Sequence, residues 1–97
     1  AGEADVLPQV LWRSALARSL AARGETEEAL ALADEAVRLA GSTEWPNVIA
    51  DSLLDQARVL RDSGRPARLV AERARVVYVA KGNAVGEIKA AALATGP

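Results

Sequence analysis

The sequence predicts an all-α fold, and three features of the 97-residue chain support this prediction. Alanine occurs 22 times while the aromatic residues are only Trp12, Trp45 and Tyr78, a composition that favours close helix packing over sheets. Apolar side chains recur at three- and four-residue spacing, as on one face of a helix. Glycine-containing stretches interrupt the apolar segments and mark the turns between them.

The first two predicted helices cover about residues 7–23 and 26–40, and Gly24 separates them. The first carries a stripe of apolar residues at four-residue spacing, Trp12, Leu16 and Leu20. Thr26 is placed to cap the second helix, and Gly41 to end it. The second helix also carries a ridge of small residues, at which helices can approach closely: Ala29, Ala33, Ala36 and Ala40.

The second half of the chain is predicted to contain three more helices. One begins near residue 44 or 46 and ends at residue 62, with an apolar stripe of Ile49, Leu53, Ala57 and Leu60. The fourth helix covers about residues 66–81 and the fifth about residues 84–94. Asn83 is expected to cap the fifth helix, in which Gly86 lowers the helical propensity.

The run Val76–Val79 is the one segment whose residues favour a strand, because it is apolar and mostly β-branched. A single strand would leave its backbone hydrogen-bonding groups unsatisfied, and the chain offers no second strand for pairing. We therefore predict that this run is helical.

An internal repeat organises these helices. Gly24 and Gly64 lie 40 residues apart, each follows a leucine by four residues (Leu20 and Leu60), and each separates two predicted helices. A helical hairpin cannot bury its apolar face alone, so neighbouring hairpins stack in series. The predicted architecture is a single domain, a short solenoid of antiparallel hairpins at residues 7–40 and 44–81 with a C-terminal capping helix at 84–94.

The first hairpin resembles a tetratricopeptide repeat (TPR). The resemblance lies in the packing positions, the turn glycine and the small residues of the second helix: Leu16, Ala17, Leu20, Gly24, Ala29, Ala36 and Leu39. The second hairpin matches at Leu53, Ala57, Leu60 and residues 62–66, and it departs from the pattern at Leu69 and Arg73. The chain is also similar to the helical-repeat regions of large bacterial signalling ATPases and transcriptional regulators, which implies that it is a segment of a longer bacterial protein.

Catalytic and cofactor chemistry is not predicted. The chain has no histidine and no cysteine, which excludes Ser–His and Cys–His nucleophilic sites and removes the two commonest zinc ligands. It also lacks a glycine-rich phosphate loop. Asp51 and Asp55 lie one helical turn apart, but we interpret them as surface residues beside Arg58 rather than as a metal site. We therefore expect no enzymatic activity, no cofactor and no metal ion.

The net charge of −1 indicates no general attraction to nucleic acid or to an anionic membrane. The charge is uneven, because residues 1–55 carry ten acids and four arginines whereas residues 56–97 carry eight bases and three acids. Six arginines form a basic zone: Arg58, Arg61, Arg65, Arg68, Arg73 and Arg75.

We interpret this zone as a salt-bridged helix surface, because no aromatic residues alternate with the arginines to stack on bases. The alternative is a patch for an acidic peptide, a phosphate group or nucleic acid. Neither a membrane-spanning run nor a signal-peptide pattern is found, so a cytoplasmic location is expected.

The TPR resemblance implies a protein-binding role, with a partner peptide or helix held in a concave groove formed by the first helix of each hairpin. The residues expected in this groove are Leu11, Ser14, Arg18, Asp51, Leu54, Arg58 and Arg61. The alternative is self-association into a homodimer, because two hairpins leave apolar surface at their ends. Its candidate contacts are Val76, Val79, Val85 and Ile88. We expect the three aromatic residues to be packing anchors.

Overall fold

A computed structural model describes residues 3–95, with side chains from residue 5 onward, and this range contains five α-helices and no strand. The helices are α1 (Glu3–Ala22), α2 (Thr26–Ala40), α3 (Pro46–Asp62), α4 (Arg68–Lys81) and α5 (Ala84–Ala94). The predicted all-α class is thereby confirmed. The run Val76–Val79 is helical as predicted, and within it the tyrosine side chain is buried while the first and last valines are exposed.

Three predicted helix ends are wrong. Helix α1 begins at Glu3 rather than near residue 7, so Pro8 lies inside the helix, where its ring nitrogen cannot donate a backbone hydrogen bond. Helix α4 begins at Arg68 rather than at residue 66. Thr26 is the first residue of α2 and not its cap, a position occupied by Glu25, whose side chain makes no capping hydrogen bond.

The cap of α5 is confirmed. The side-chain oxygen of Asn83 accepts a hydrogen bond from the backbone N–H of Gly86 at 2.9 Å, which satisfies one of the free donors of the first helical turn. The amide of Asn83 also donates to Asn47 Oδ1 at 3.2 Å. The start of α5 is therefore held beside the start of α3.

The turns at Gly24 and Gly64 have the same geometry. Both glycines have positive φ, +81° and +70°, a backbone conformation that other residues rarely adopt. After each glycine the next backbone N–H donates to the carbonyl of the leucine five residues earlier, Glu25 to Leu20 at 2.9 Å and Arg65 to Leu60 at 2.8 Å. The two turns that the repeat pattern paired are thus equivalent in backbone conformation and hydrogen bonding.

Each helix packs on the next along the chain, and α3 additionally contacts both α1 and α5. Helix α2 presents its buried alanine ridge, Ala29, Ala33, Ala36 and Ala40. One core cluster centres on the fully buried Val59 among side chains of α1 and α2, and another on Tyr78 among side chains of α3 and α5. Helix α3 therefore contributes to both halves of the core.

Tyr78 joins three helices. Its ring packs so closely on the backbone of Gly86 in α5 that a Cβ atom there would lie 2.3 Å from the ring carbon Cδ1. Its hydroxyl donates a hydrogen bond to Asp51 of α3. The glycine that weakens α5 as a helix is therefore the residue that lets α5 reach the core.

Candidate functional site

A cleft of about 910 Å³ lies in the second half of the described chain. Three elements form it: the C-terminal half of α3, the α3–α4 connection with the start of α4, and the C-terminal half of α5. Its lining residues are Arg58, Arg61, Gly64, Arg65, Pro66, Ala67, Arg68, Lys89, Ala92 and Leu93. We call this concavity the basic cleft because five of its ten lining residues are cationic and none is acidic.

Local sequence rules explain how the basic cleft forms. Arg58 and Arg61 are three residues apart on α3, and Lys89 and Leu93 are four apart on α5, so each pair lies on one side of its helix. Gly64 turns the chain sharply after α3, and Pro66 delays the start of α4. The cations of the connection therefore line the cleft together with residues of α3 and α5.

Three of the five cations already have carboxylate partners within the molecule. Arg58 Nη1 lies 3.2 Å from Asp55 Oδ1, Arg61 Nε lies 3.2 Å from its neighbour Asp62, and Arg65 Nη2 lies 3.2 Å from Glu27 Oε1 of α2. The Glu27 side chain is 88% exposed, so this last pair is strongly screened by solvent and contributes little to stability.

The other two cations, Arg68 and Lys89, form no salt bridge or side-chain hydrogen bond with any described residue. They lie on α4 and α5, 21 residues apart in sequence, and both line the basic cleft. The basic cleft therefore contains two cations that form no salt bridge, beside the apolar wall residues Ala92 and Leu93 of α5.

A second and much smaller concavity lies between α1 and α3. This depression of about 70 Å³ is lined by Leu7, Val10, Leu11, Ser14, Val48, Asp51, Ser52 and Asp55. Its two carboxylates are already engaged: Asp51 accepts the Tyr78 hydroxyl, and Asp55 pairs with Arg58 at 3.2 Å and Arg18 at 3.8 Å. The small depression offers neither the room nor the unpaired charge of the basic cleft.

The structure separates the residues predicted to form one groove. Arg58 and Arg61 line the basic cleft, Leu11, Ser14 and Asp51 line the small depression, and Arg18 and Leu54 line neither. Two expectations need correction, because Leu54 is only 4% exposed in the core around Tyr78 and Ser14 is only 5% exposed. The TPR resemblance placed both in the groove, but Ser14 lies where α1 packs against α3 and Leu54 packs in the cluster with Tyr78.

The four candidates for self-association, Val76, Val79, Val85 and Ile88, are all exposed. Of the three aromatic residues, Tyr78 is a buried anchor as expected and Trp45 is half-buried. Trp12 is instead 46% exposed, with the guanidinium of Arg13 lying 4.3 Å from its ring centroid. The expectation that Trp12 is a core anchor is therefore wrong.

The side chains with shifted pKa values described here lie outside the basic cleft. Burial raises the pKa of Tyr78 above its ordinary value, and the hydrogen bond to Asp51 raises it further because the neutral hydroxyl is the donor. On α4, the hydrogen-bonded guanidinium of Arg75 lowers the pKa of Glu72. Both groups have a structural partner, and neither indicates acid–base chemistry.

Within the described residues, no group of three or more acidic, histidine or cysteine side chains is arranged to hold a metal ion. Over the same part of the chain, no helix has the length and apolar character needed to cross a membrane. Comparison with protein-family models, with curated proteins and with solved structures finds no match to this chain.

Sequence reasoning identified four of the five cations of the basic cleft but missed Lys89. The predicted basic zone contains six arginines, whereas the structure excludes Arg73 and Arg75 from the lining and adds Lys89 of α5. The sequence does contain a signal for this residue. Lys89 lies four residues before Leu93 in the predicted fifth helix, so the two side chains lie on one side of it.

Proposed function

We propose that this chain is a protein-interaction module that binds an acidic segment of a partner protein in the basic cleft. The observation that carries the proposal is the cleft lining, with five cations, no acid and two cations that form no salt bridge. Cations held in a concave site concentrate the positive potential and attract anionic groups. Binding, rather than catalysis, is the role that such a lining supports.

The lining favours a peptide over other anions. Pro66, Ala67, Ala92 and Leu93 offer apolar contacts that an acidic peptide with an apolar side chain would use. No aromatic residue lines the basic cleft, so it offers no stacking platform for nucleic acid bases. A volume of about 910 Å³ accommodates several residues of a partner and exceeds what a simple inorganic anion needs.

We further propose that the helices form TPR-like hairpins that stack in series, α1 with α2, α3 with α4, and α5 as the terminal helix. The equivalent turns at Gly24 and Gly64 and the contacts of α3 with both α1 and α5 support this arrangement. In such an array α3 and α5 are the first helices of successive units. The basic cleft would then lie on the same side as the groove that the resemblance implied.

The experiment is a selection from a random peptide display library against the 97-residue chain, followed by affinity measurements with selected peptides. Arg68→Glu is compared with Arg73→Glu, because both arginines are exposed on α4 without a salt bridge and only Arg68 lines the basic cleft. We expect acidic peptides to be enriched and Arg68→Glu to weaken binding about tenfold, as reversing one contacting charge does. Arg73→Glu should change the affinity less than about twofold, a rim-charge effect.

Two results would contradict the proposal. One is a selection that enriches no acidic sequence; the other is an equal loss of affinity for the two charge reversals. Far-ultraviolet circular dichroism of both variants shows that the helices are retained, so a loss of binding is not mistaken for unfolding.

A further inference from the structure

Three arginines of the basic cleft lie on one short stretch of chain, and we call them the arginine triad: Arg61, Arg65 and Arg68. The turn after α3 folds this stretch back on itself. The backbone N–H of Gly64 donates to the carbonyl of Arg61 at 3.0 Å. The N–H of Arg65 donates to the carbonyl of Leu60 at 2.8 Å. Arg68 follows three residues later as the first residue of α4, so one hydrogen-bonded turn presents the triad to one cavity.

The partners that the triad has within the chain are weakly held. Arg61 pairs with its sequence neighbour Asp62, and these side chains are 55% and 35% exposed. Arg65 pairs with Glu27, and these side chains are 49% and 88% exposed. Arg68 forms no salt bridge with any described residue. Solvent screens exposed pairs of this kind, so an anion with more charge than one carboxylate can displace the carboxylates from them.

The chemistry of the triad favours a phosphate group over a carboxylate. A ligand carboxylate would gain little, because it would replace a carboxylate partner with an equivalent group. A phosphorylated side chain carries between about 1.5 and 2 negative charges at neutral pH and has three terminal oxygens that accept hydrogen bonds. Guanidinium groups match these oxygens, since their planar N–H forks donate in pairs. Four of the five cations of the basic cleft are arginines, and no lining residue is acidic.

We infer that the acidic segment bound in the basic cleft carries a phosphorylated serine or threonine, whose phosphate group contacts the arginine triad. This inference rests on the proposed peptide binding and names the anionic group that the partner presents. Arg68 is available to the phosphate directly, whereas Arg61 and Arg65 exchange their exposed carboxylate partners for it. The apolar wall at Ala92 and Leu93 contacts the peptide residues beside the phosphate.

The test compares four pools of labelled synthetic peptides that have the same randomised flanks and different fixed centres: Ser-Ala, Glu-Ala, Glu-Glu and phosphoserine-Ala. The Glu-Glu centre carries the charge of a phosphate without its oxygen geometry. Fluorescence anisotropy measures the affinity of each pool for the 97-residue chain. We expect the phosphoserine pool to bind about tenfold more tightly than either glutamate pool, because the phosphate adds charge-assisted hydrogen bonds.

A double variant, Arg65→Lys with Arg68→Lys, keeps both charges and removes the planar forks. Its preference for phosphoserine over Glu-Glu should fall to about threefold or less, while its affinity for Glu-Glu changes less than about twofold. Arg73→Lys is the matched control and should keep the full preference, since Arg73 is exposed on α4, forms no salt bridge and lies outside the cleft lining. Circular dichroism shows that the variants remain helical.

The pH dependence of binding provides a second readout. Phosphoserine loses its second charge as the pH falls through about 6, whereas glutamate stays charged there. The chain has no histidine, the side chain that ordinarily titrates in this range. Between about pH 7 and about pH 5.5 the affinity for the phosphoserine pool should fall about threefold, with little change for the Glu-Glu pool.

Equal affinities for the phosphoserine and Glu-Glu pools would overturn the inference and leave the proposed peptide binding intact. An unchanged phosphoserine preference in the double variant would also overturn it, because the triad would not be the contact. Failure of all four pools to bind would contradict both the inference and the proposed function.

Two competitors separate the phosphoserine peptide from other sources of phosphate. Inorganic phosphate and a short single-stranded DNA oligonucleotide are each titrated into the complex with the phosphoserine pool. We expect both to displace the peptides less effectively, mole for mole, than an unlabelled phosphoserine pool does, because neither uses the apolar wall of the basic cleft. Displacement at equal or lower concentration would assign the triad to free phosphate or to nucleic acid, and the inference would be wrong.

Discussion

The basic cleft and the small depression flank the same helix, α3, and both have charged walls, yet only one is suited to binding. In the small depression each carboxylate has an internal partner, and the space is about 70 Å³. In the basic cleft two cations form no salt bridge, and the space is about 910 Å³. The difference teaches that a charged lining alone does not define a binding site. A side chain that already forms an ion pair within the protein gains little from a second pairing with a ligand.

The packing of α5 explains why the two places differ. The contact between Gly86 and the Tyr78 ring fixes the start of α5 against the core, while its C-terminal half forms the far wall of the basic cleft. On the other side of α3, α1 packs close enough to bury Ser14. The space beside α3 is therefore open towards α5 and nearly closed towards α1.

The largest expected effect is on peptide affinity, when the charges of both Arg68 and Lys89 are reversed. Arg68→Glu combined with Lys89→Glu should weaken the binding of a selected acidic peptide about a hundredfold, about tenfold for each reversed charge. Fluorescence anisotropy with a labelled peptide measures this. If the double variant bound the peptide as tightly as the wild type, the basic cleft would not be the binding site, and the contrast between the two concavities would be wrong.

Next in size is the effect of Gly86→Ala on stability. Alanine favours the helix by about 1 kcal/mol over glycine, but its methyl group would lie 2.3 Å from the Tyr78 ring and must displace it. Overpacking of this kind costs about 1–3 kcal/mol, so the free energy of unfolding in urea should fall despite the better helix former. An increase in stability would show that α5 does not rest on the Tyr78 ring.

A loss of similar size, about 1.5 kcal/mol, is expected for Tyr78→Phe, which removes a hydrogen bond to the Asp51 carboxylate. The loss should depend on pH. Because the folded-state pKa of Tyr78 is raised, folding favours the neutral hydroxyl, and that stabilisation is complete below about pH 10 and lost as pH rises further.

The stability difference between the wild type and Tyr78→Phe should therefore be constant near neutral pH and shrink above about pH 10. Tyr78 is the only tyrosine, so tyrosinate absorbance reports its ionisation directly. Ionisation of the folded protein at the pKa of a free tyrosine would contradict the buried, hydrogen-bonded hydroxyl.

The smallest expected effect is on peptide affinity, when an ion pair between residues of the two concavities is removed. Asp55 lines the small depression but pairs with Arg58, which lines the basic cleft. Asp55→Asn should release that guanidinium and raise peptide affinity by roughly twofold to fivefold, in keeping with the modest energy of exposed ion pairs. A decrease in affinity would mean that Asp55 orients Arg58 for binding rather than competing with the ligand.

The sequence predicted the number and order of the helices because each depends on local signals, such as the turn glycines, the Asn83 cap and the alanine ridge of α2. It did not predict which side of α3 is open, because that depends on how closely α1 and α5 approach α3. Leu54 is an example of what the sequence alone does not determine. Its position in the helical pattern is compatible with a groove, and it is buried because it packs in the cluster with Tyr78. Lys89 lines the basic cleft for a related reason, because the packing of α5 places it there.

The most direct measurement is a nuclear magnetic resonance titration of the isotope-labelled chain with a selected acidic peptide, which maps the contact residue by residue. The account predicts that backbone amide shifts concentrate at residues 58–68 and 89–93, which line the basic cleft, and leave Leu11 and Val48 in the small depression unchanged. Shifts centred on the small depression, or spread evenly over the surface, would contradict it.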